Sequence, residues 1–246
     1  MSMSKAKAEN RPLPKRFYSE ASAVQTDGGW GIFLDGRPVK TPDRHLLAAP
    51  CEELAVEMAA EWDAQVKHID PFTMPLTRLA HVVTDRIEQA RNAAADEISR
   101  FAGTDLLCHR SDDCELAARQ AEKWDPLLDW SRNALDAPLK SAATLLPLEQ
   151  PEASVEALRA RAEALDSWRL TALASSVSLL GSAVLGFALL EAEIDGETAF
   201  ALSRLDEDYQ AERWGEDSDA VEAAANRKRD LLACERVFRL LDEADV

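Results

Sequence analysis

Leu170 to Leu190 is a run of twenty-one residues without a charged side chain. It is long enough to cross a bilayer as a single helix, so any fold open to this chain must either bury it or place it in lipid. Its composition favours burial. Thr171, Ser175, Ser176, Ser178 and Ser182 thread hydroxyls through it, and Gly181 interrupts its middle. Ser182 and Gly186 give a small-x-x-x-small spacing of the kind seen between membrane helices, but no cluster of Lys or Arg flanks the run to set an orientation. A helix that is uncharged on every side is equally the central element of a globular bundle. The run is therefore expected in a helical core, nearly wholly buried, and broken or kinked near Gly181.

Charge narrows the partners. Across 246 residues Lys and Arg number 28 and Asp and Glu 45, a net charge of −17, and 46% of the residues are apolar. That apolar fraction suffices for a core and excludes a disordered chain. The acidic balance argues against nucleic acid, whose phosphates are gripped by cations, and against an anionic membrane surface. The balance is uneven: residues 1 to 50 carry eight basic and five acidic side chains, the rest twenty and forty. Such a step marks a change of surface and often of domain.

The expected architecture follows from a change of period. Phe17 to Val24 and Trp30 to Leu34 read as strands separated by the turn Thr26-Asp-Gly-Gly29, and Asp35-Gly36 is the signature of a type I′ hairpin. Val39 to Thr41 returns as a further strand, ended by Pro42. From Pro50 the period becomes 3.6: Leu54, Met58 and Trp62 share one helix face. Further helices are expected over about 76–101, 115–135, 152–165, 197–213 and 218–241, with an irregular connector from Pro138 to Pro151. The fold class is α+β, a small antiparallel β-rich N-terminal domain (residues 1–70, with a flexible basic tail) followed by a larger all-helical bundle (71–246). The first residues have no apolar h-region, so no secretory signal is read there.

Catalytic signatures are missing. The sequence holds no phosphate loop, no G-x-S-x-G and no H-E-x-x-H. Cys51, Cys108, Cys114 and Cys234 form no C-x-x-C pair and read as free thiols in a reducing compartment. Cys108, His109 and Cys114 lack a fourth metal ligand, so no metal or other cofactor is expected. Paired carboxylates leave one rival reading, an acidic soluble acid/base enzyme, which needs those carboxylates to converge in a dry cleft.

One acidic stretch stands apart. Between Ser203 and Glu222 lie eight acids and two arginines. Glu207, Gln210 and Trp214 fall on a single helical stripe, and Gly215 follows as a helix stop. An aromatic ringed by charge is a frequent interface anchor; the alternative is a Trp214 packed in the core with the acids merely solvated.

Taken in order, several runs resemble a known family. They are Lys15-Arg-Phe-Tyr18, Leu34-Asp-Gly-Arg-Pro-Val-Lys-Thr-Pro42, Glu61-Trp-Asp-Ala-Gln65, Met74-Pro-Leu-Thr-Arg78, Thr104-Asp-Leu-Leu-Cys108, Trp124-Asp-Pro126, Asp206-Glu-Asp-Tyr-Gln210 and Trp214-Gly-Glu-Asp217. The chain resembles the assembly chaperones that bind the α subunit of the catalytic head of ATP synthase in mitochondria and α-proteobacteria. The resemblance implies the same two-part fold, no catalytic activity and a role in holding the free α subunit until the β subunit arrives. It also implies that the late acidic stretch matters for that role, which carries partner binding onto Glu207, Gln210, Glu212 and Trp214. Asp208 departs from the expected pattern, being more acidic. A soluble monomer is expected, in the bacterial cytoplasm or, for a mature eukaryotic form, the mitochondrial matrix.

Overall fold

The computed structural model describes residues 12–144, 148–215 and 218–244. Most of the expected basic tail, and Glu216 and Asp217 of the acidic stretch, lie outside the described residues. Contacts divide the chain into Met1–Thr84 and Asp85–Val246.

The first unit is an antiparallel sheet with two helices. Strands β1 (Ala21–Thr26) and β2 (Gly29–Leu34) pair from Ala21 opposite Leu34 to Thr26 opposite Gly29. The short strands β3 (Arg37–Pro38) and β4 (Ala48–Ala49) both pair with β2, which is the central strand. Asp35 and Gly36 join β2 to β3 with φ of 46° and 76°, the two positive values a type I′ turn demands. Helix α1 (Glu52–Asp63) lays Leu54, Met58 and Trp62 on the sheet side, all buried. Helix α2 spans Pro75–Asp85.

The first strand begins later than its apolar pattern suggests, because Arg16 and Tyr18 are committed elsewhere. Arg16 donates to the carbonyls of Tyr18, Ser19, Asp63 and Gln65, and Tyr18 donates its hydroxyl to Trp62 O at 2.7 Å. These side chains pin residues 16–18 to the end of α1. Glu61 then caps α2, its two carboxylate oxygens accepting from Leu76 N (2.7 Å) and Thr77 N (2.8 Å).

The second unit is the helical bundle: α3 (Ile87–Gly103), α4 (Cys114–Ala134), α5 (Glu152–Glu163), α6 (Ser167–Leu180), α7 (Ala183–Leu190), α8 (Gly196–Ser203), α9 (Leu205–Trp214) and α10 (Ser218–Ala244). The uncharged run forms α6 and α7, and its break falls at Gly181, whose φ of 69° is open to glycine without strain. Both helices sit in the core, with Leu170, Leu173, Val177 and Phe187 at most 1% exposed. The three buried hydroxyls are each satisfied, Thr171 donating to Ser167 O, Ser176 to Leu173 O, and Ser182 accepting from Leu185 N, while Ser175 is half-buried and Ser178 exposed, so the run is less completely buried than expected. Among the described residues no helix is long and apolar enough to cross a membrane.

Two expected helices are each two. The segment 76–101 is interrupted at Arg86, where φ is −131°, and 197–213 at Arg204, where φ is −107°. Neither position holds Gly or Pro. At Arg204 the cause is competing anchors: α8 packs closely on α10, where a Cβ at Gly196 would displace the ends of the Leu232 and Glu235 side chains, while α9 is tied to α4.

Asp105 sits at the centre of this bundle, fully buried. Its carboxylate accepts from Leu107 N at 3.0 Å and Val184 N at 3.1 Å, and also from Ala183 N and the Ser182 hydroxyl. It thereby caps both the short 3-10 turn Leu106–Cys108 and the buried start of α7. Burial pushes its carboxyl from 3.8 up to about 6, against the pull of those donors. Asp105→Ala leaves several buried donors without an acceptor, and urea unfolding should show a loss of about 3 kcal/mol. The folded form takes up a proton below about pH 6, the unfolded chain only near 3.8. Asp105 therefore contributes most below pH 4, and that contribution is lost as pH rises through 6. Between pH 4 and 7 the wild type should lose stability relative to Asp105→Asn.

Candidate functional site

Helix α9 presents two working faces. Its first turn holds Asp206, Glu207 and Asp208, favourably placed at the positive end of the helix dipole. The inward face is Tyr209, which is buried, flanked by Glu212 and Arg213. The Tyr209 hydroxyl donates to Asp113 at 3.0 Å, and the guanidinium groups of Arg213 and Arg119 lie 4.3 Å and 5.0 Å from its ring centroid. Arg119 also pairs with Glu212 at 2.8 Å, and Arg213 with Glu115 at 2.7 Å. Asp113 is itself the cap of α4, accepting from Glu115 N and Leu116 N. The bond from Leu116 N and then that from Tyr209 hold its carboxyl below the usual range. This cluster fixes α9 against the start of α4.

The outward face is the stripe Glu207, Gln210, Trp214. All three line an open groove of about 420 Å³ whose opposite wall is the first turns of α10, chiefly Ala220, Val221 and Ala224. Trp214 is 77% exposed and Val221 49%. Glu207 lies between two guanidinium groups, 3.8 Å from Arg204 and 3.7 Å from Arg227, with half its side chain in solvent. Arg227 also donates to Leu179 O at 3.1 Å, tying α10 to α6. Glu207 and Arg227 together form a partition, since both also line a second groove of about 560 Å³ bounded by His109, Ser178 and Gly181.

Three of the four residues named from sequence are thus brought together. Glu212 is not among them; it points to Arg119 on the α4 side. Sequence reading missed the other groove-lining groups, Arg204, Arg227 and the small apolar side chains of α10. Their signal was present: Ala220, Val221, Ala224 and Arg227 lie on one side of a helix whose first turns have little else to bury.

The potential chemistry elsewhere is quiet. Cys51, Cys108 and Cys234 are buried and Cys114 exposed, all as free thiols. Burial pushes the Cys108 thiol up to about 12, with the Asp105 carboxylate acting in the same direction, so it stays protonated. Among the described residues no three His, Cys, Asp or Glu side chains gather as a metal site.

An open groove edged by an exposed tryptophan has the aromatic character of a protein-binding surface. The chain matches the family described as ATP12 chaperone protein over residues 15–132. Over 92% of its length it is 42% identical to the crystal structure of Atp12 from Paracoccus denitrificans, covering 98% of that chain with a TM-score of 0.85. An Agrobacterium tumefaciens protein of known structure is 40% identical, with 94% of this chain and 88% of that one covered and a TM-score of 0.88. The mitochondrial protein atp12 of Schizosaccharomyces pombe is 29% identical over 92% of this chain and 84% of its own length. The chain belongs to the ATP12 chaperone family, the assembly chaperones of the ATP synthase α subunit.

The two faces of α9 should separate by mutation. Trp214→Ala removes a solvated side chain and should leave unfolding free energy within about 0.5 kcal/mol of wild type. Tyr209→Ala should lower the melting temperature by on the order of 5–10 °C, because it unseats α9. Calorimetry on the two variants checks this.

Proposed function

We propose that this chaperone holds the unassembled α subunit through the groove between α9 and α10, and gives it up when the β subunit arrives. The observation that carries this reading is Trp214, 77% exposed beside Glu207 and Gln210 on one groove wall. A free subunit exposes an apolar interface that aggregates if left in water. An aromatic anchor with a charged rim covers such a surface while keeping association fast and selective. Glu207, Gln210 and Trp214 meet the partner, and Glu212 acts through Arg119 by fixing the angle at which α9 presents them.

The action is binding without catalysis, by a monomer, with no nucleotide or metal and no nucleic acid as partner. Residues 85–246 carry eighteen basic and thirty-four acidic side chains, a surface that repels phosphate backbones. Release then proceeds by exchange of partners, in the bacterial cytoplasm or the mitochondrial matrix.

Titration of purified α subunit against variants tests the groove. Glu207→Gln is a cleaner substitution than Glu207→Lys, which would set a third cation beside Arg204 and Arg227. Glu207→Gln and Trp214→Ala should each weaken binding, on the order of tenfold for the tryptophan, with unchanged melting temperatures. Wild-type affinity in both would return the groove to ordinary solvated surface.

A further inference from the structure

The two walls of the groove are held very differently. Helix α9 is pinned along its inward face by the contacts of Tyr209, Arg119 and Arg213, and Gly215 ends it with a φ of 89°. The opposite wall is the start of α10. From Ser218 to Asn226 every residue is exposed except Ala224, which is half-buried. The firm part of α10 begins just beyond. Arg227 donates to Leu179 O on α6 at 3.1 Å, and Lys228 pairs with Glu197 on α8. Leu231 is the first buried side chain of the helix, followed by Cys234, Val237, Phe238 and Leu241, where α10 packs on α6, α7 and α8.

Most of a helix's stability in a protein comes from burying one face, and the intrinsic tendency of a short segment contributes little. Ser218–Asn226 is about 13 Å of helix that buries almost nothing. Val221, its one large apolar side chain, is 49% exposed. Ala220, Ala223, Ala224 and Ala225 favour the helix, and Asp219 and Glu222 suit the positive end of its dipole. Val221 and Asn226 are weaker helix formers, and each residue ordered costs backbone entropy. These effects nearly cancel. The segment is helical as the continuation of a packed helix, and it opens from its free end at small cost.

We propose that Ser218–Asn226 is an ordering device: it opens and closes in the free chaperone and is held helical by the client, so that completing the groove and binding the α subunit are one step. The inference rests on the reading of the groove as the α-subunit site, and adds how that site is regulated. The segment lacks a face to bury against, and the groove is where one is supplied. Ala220, Val221 and Ala224 stand across from Trp214, so an apolar client segment laid between them covers both walls. Part of the interaction then goes into ordering the wall, which lowers affinity without loosening the fit. Arg227 marks the limit of the moving part, since its bond to Leu179 O fixes the turn that follows, and the packed helices keep their places. Residues off the groove therefore set affinity too. Ala225 and Asn226 belong to the segment but are not among the groove's lining residues.

The test is hydrogen exchange of the full-length chaperone, alone and with purified α subunit, read on the amides of residues 222–226, the first in α10 that can bond within the helix. In the free protein they should exchange at least about a hundredfold faster than those of 231–241, and the α subunit should slow them at least about tenfold. Titration of the α subunit against two variants gives the second readout. Ala225→Gly, which loosens the segment without touching the groove, should bind about twofold to fivefold more weakly. Asn226→Ala, which favours the helix, should bind about twofold to threefold more tightly. Both should keep their melting temperatures within about 2 °C of wild type. Amides of 222–226 that are as protected as 231–241 in the free chaperone, or unchanged by the α subunit, overturn the device. Wild-type affinity in Ala225→Gly alongside weakened binding by Trp214→Ala does the same, and leaves the groove standing as a rigid site. If Ala225→Gly melts early, Asn226→Ala decides: tighter binding upholds the device, and unchanged or weaker binding overturns it. Wild-type affinity in both Trp214→Ala and Glu207→Gln overturns the groove reading and this one with it.

Discussion

The carboxylate of Asp105 is the constraint around which the bundle is arranged. The uncharged run can be buried only if the backbone freed at its break is satisfied without water. Gly181 turns the chain, Ser182 caps α7, and Asp105 supplies the remaining acceptors to Ala183 and Val184. A neutral residue could satisfy one of those donors, but two carboxylate oxygens serve both the 3-10 turn at Leu107 and the helix start at Val184. Burying that charge is costly, which is why its carboxyl is pushed up to about 6. The arrangement trades some stability at neutral pH for a fixed junction between α6 and α7, against which α3, α4 and α10 then pack.

The elements legible in the sequence were those governed by local chemistry. Asp35-Gly36 has one comfortable geometry, and Gly181 marked where an overlong apolar run had to turn. The stripe Glu207, Gln210, Trp214 followed from helical spacing alone, and the groove lies along it. What escaped was decided by tertiary competition. Nothing at Arg86 or Arg204 disfavours a helix, yet both interrupt one, at Arg204 because the helices on its two sides have different anchors. Phe17 to Val24 has the alternation of a strand, but Arg16 and Tyr18 hold its first residues at the end of α1. Glu212, two residues from Gln210 and so about 200° round the helix, faces α4 and Arg119 instead of the groove, which helical spacing alone could have shown.

The runs that carry the family resemblance turn out to be polar pins. Arg16 and Tyr18 of the first run meet Asp63 and Trp62 of the third; Glu61 caps the helix begun by the fourth; Asp105 of the fifth caps the buried junction. Trp124 of the sixth donates its indole N–H to Leu202 O at 3.1 Å. Each residue is there because a buried or half-buried polar group needs one partner of one shape, a demand that apolar packing, which accepts many substitutions of similar volume, does not make. Glu207 and Trp214 lack that excuse. The tryptophan is bathed in solvent, and the glutamate is held by two long, half-exposed ion pairs.

Those weak pairs suit a protein that must let go. Exposed ion pairs contribute about 0–1 kcal/mol each, so in the proposed binding mode Glu207 would exchange Arg204 and Arg227 for a client's cation and return to them at little net change. The arginines stay in place meanwhile, Arg227 by its bond to Leu179 O and Arg204 by Asp208 at 3.0 Å. Binding as proposed would need no rearrangement of helices, and a small change in free energy on the client's side, such as its own subunit interface forming, would tip the exchange. A dry, deeply buried pocket at the same place would bind the client more tightly and would hold back the subunit it exists to deliver.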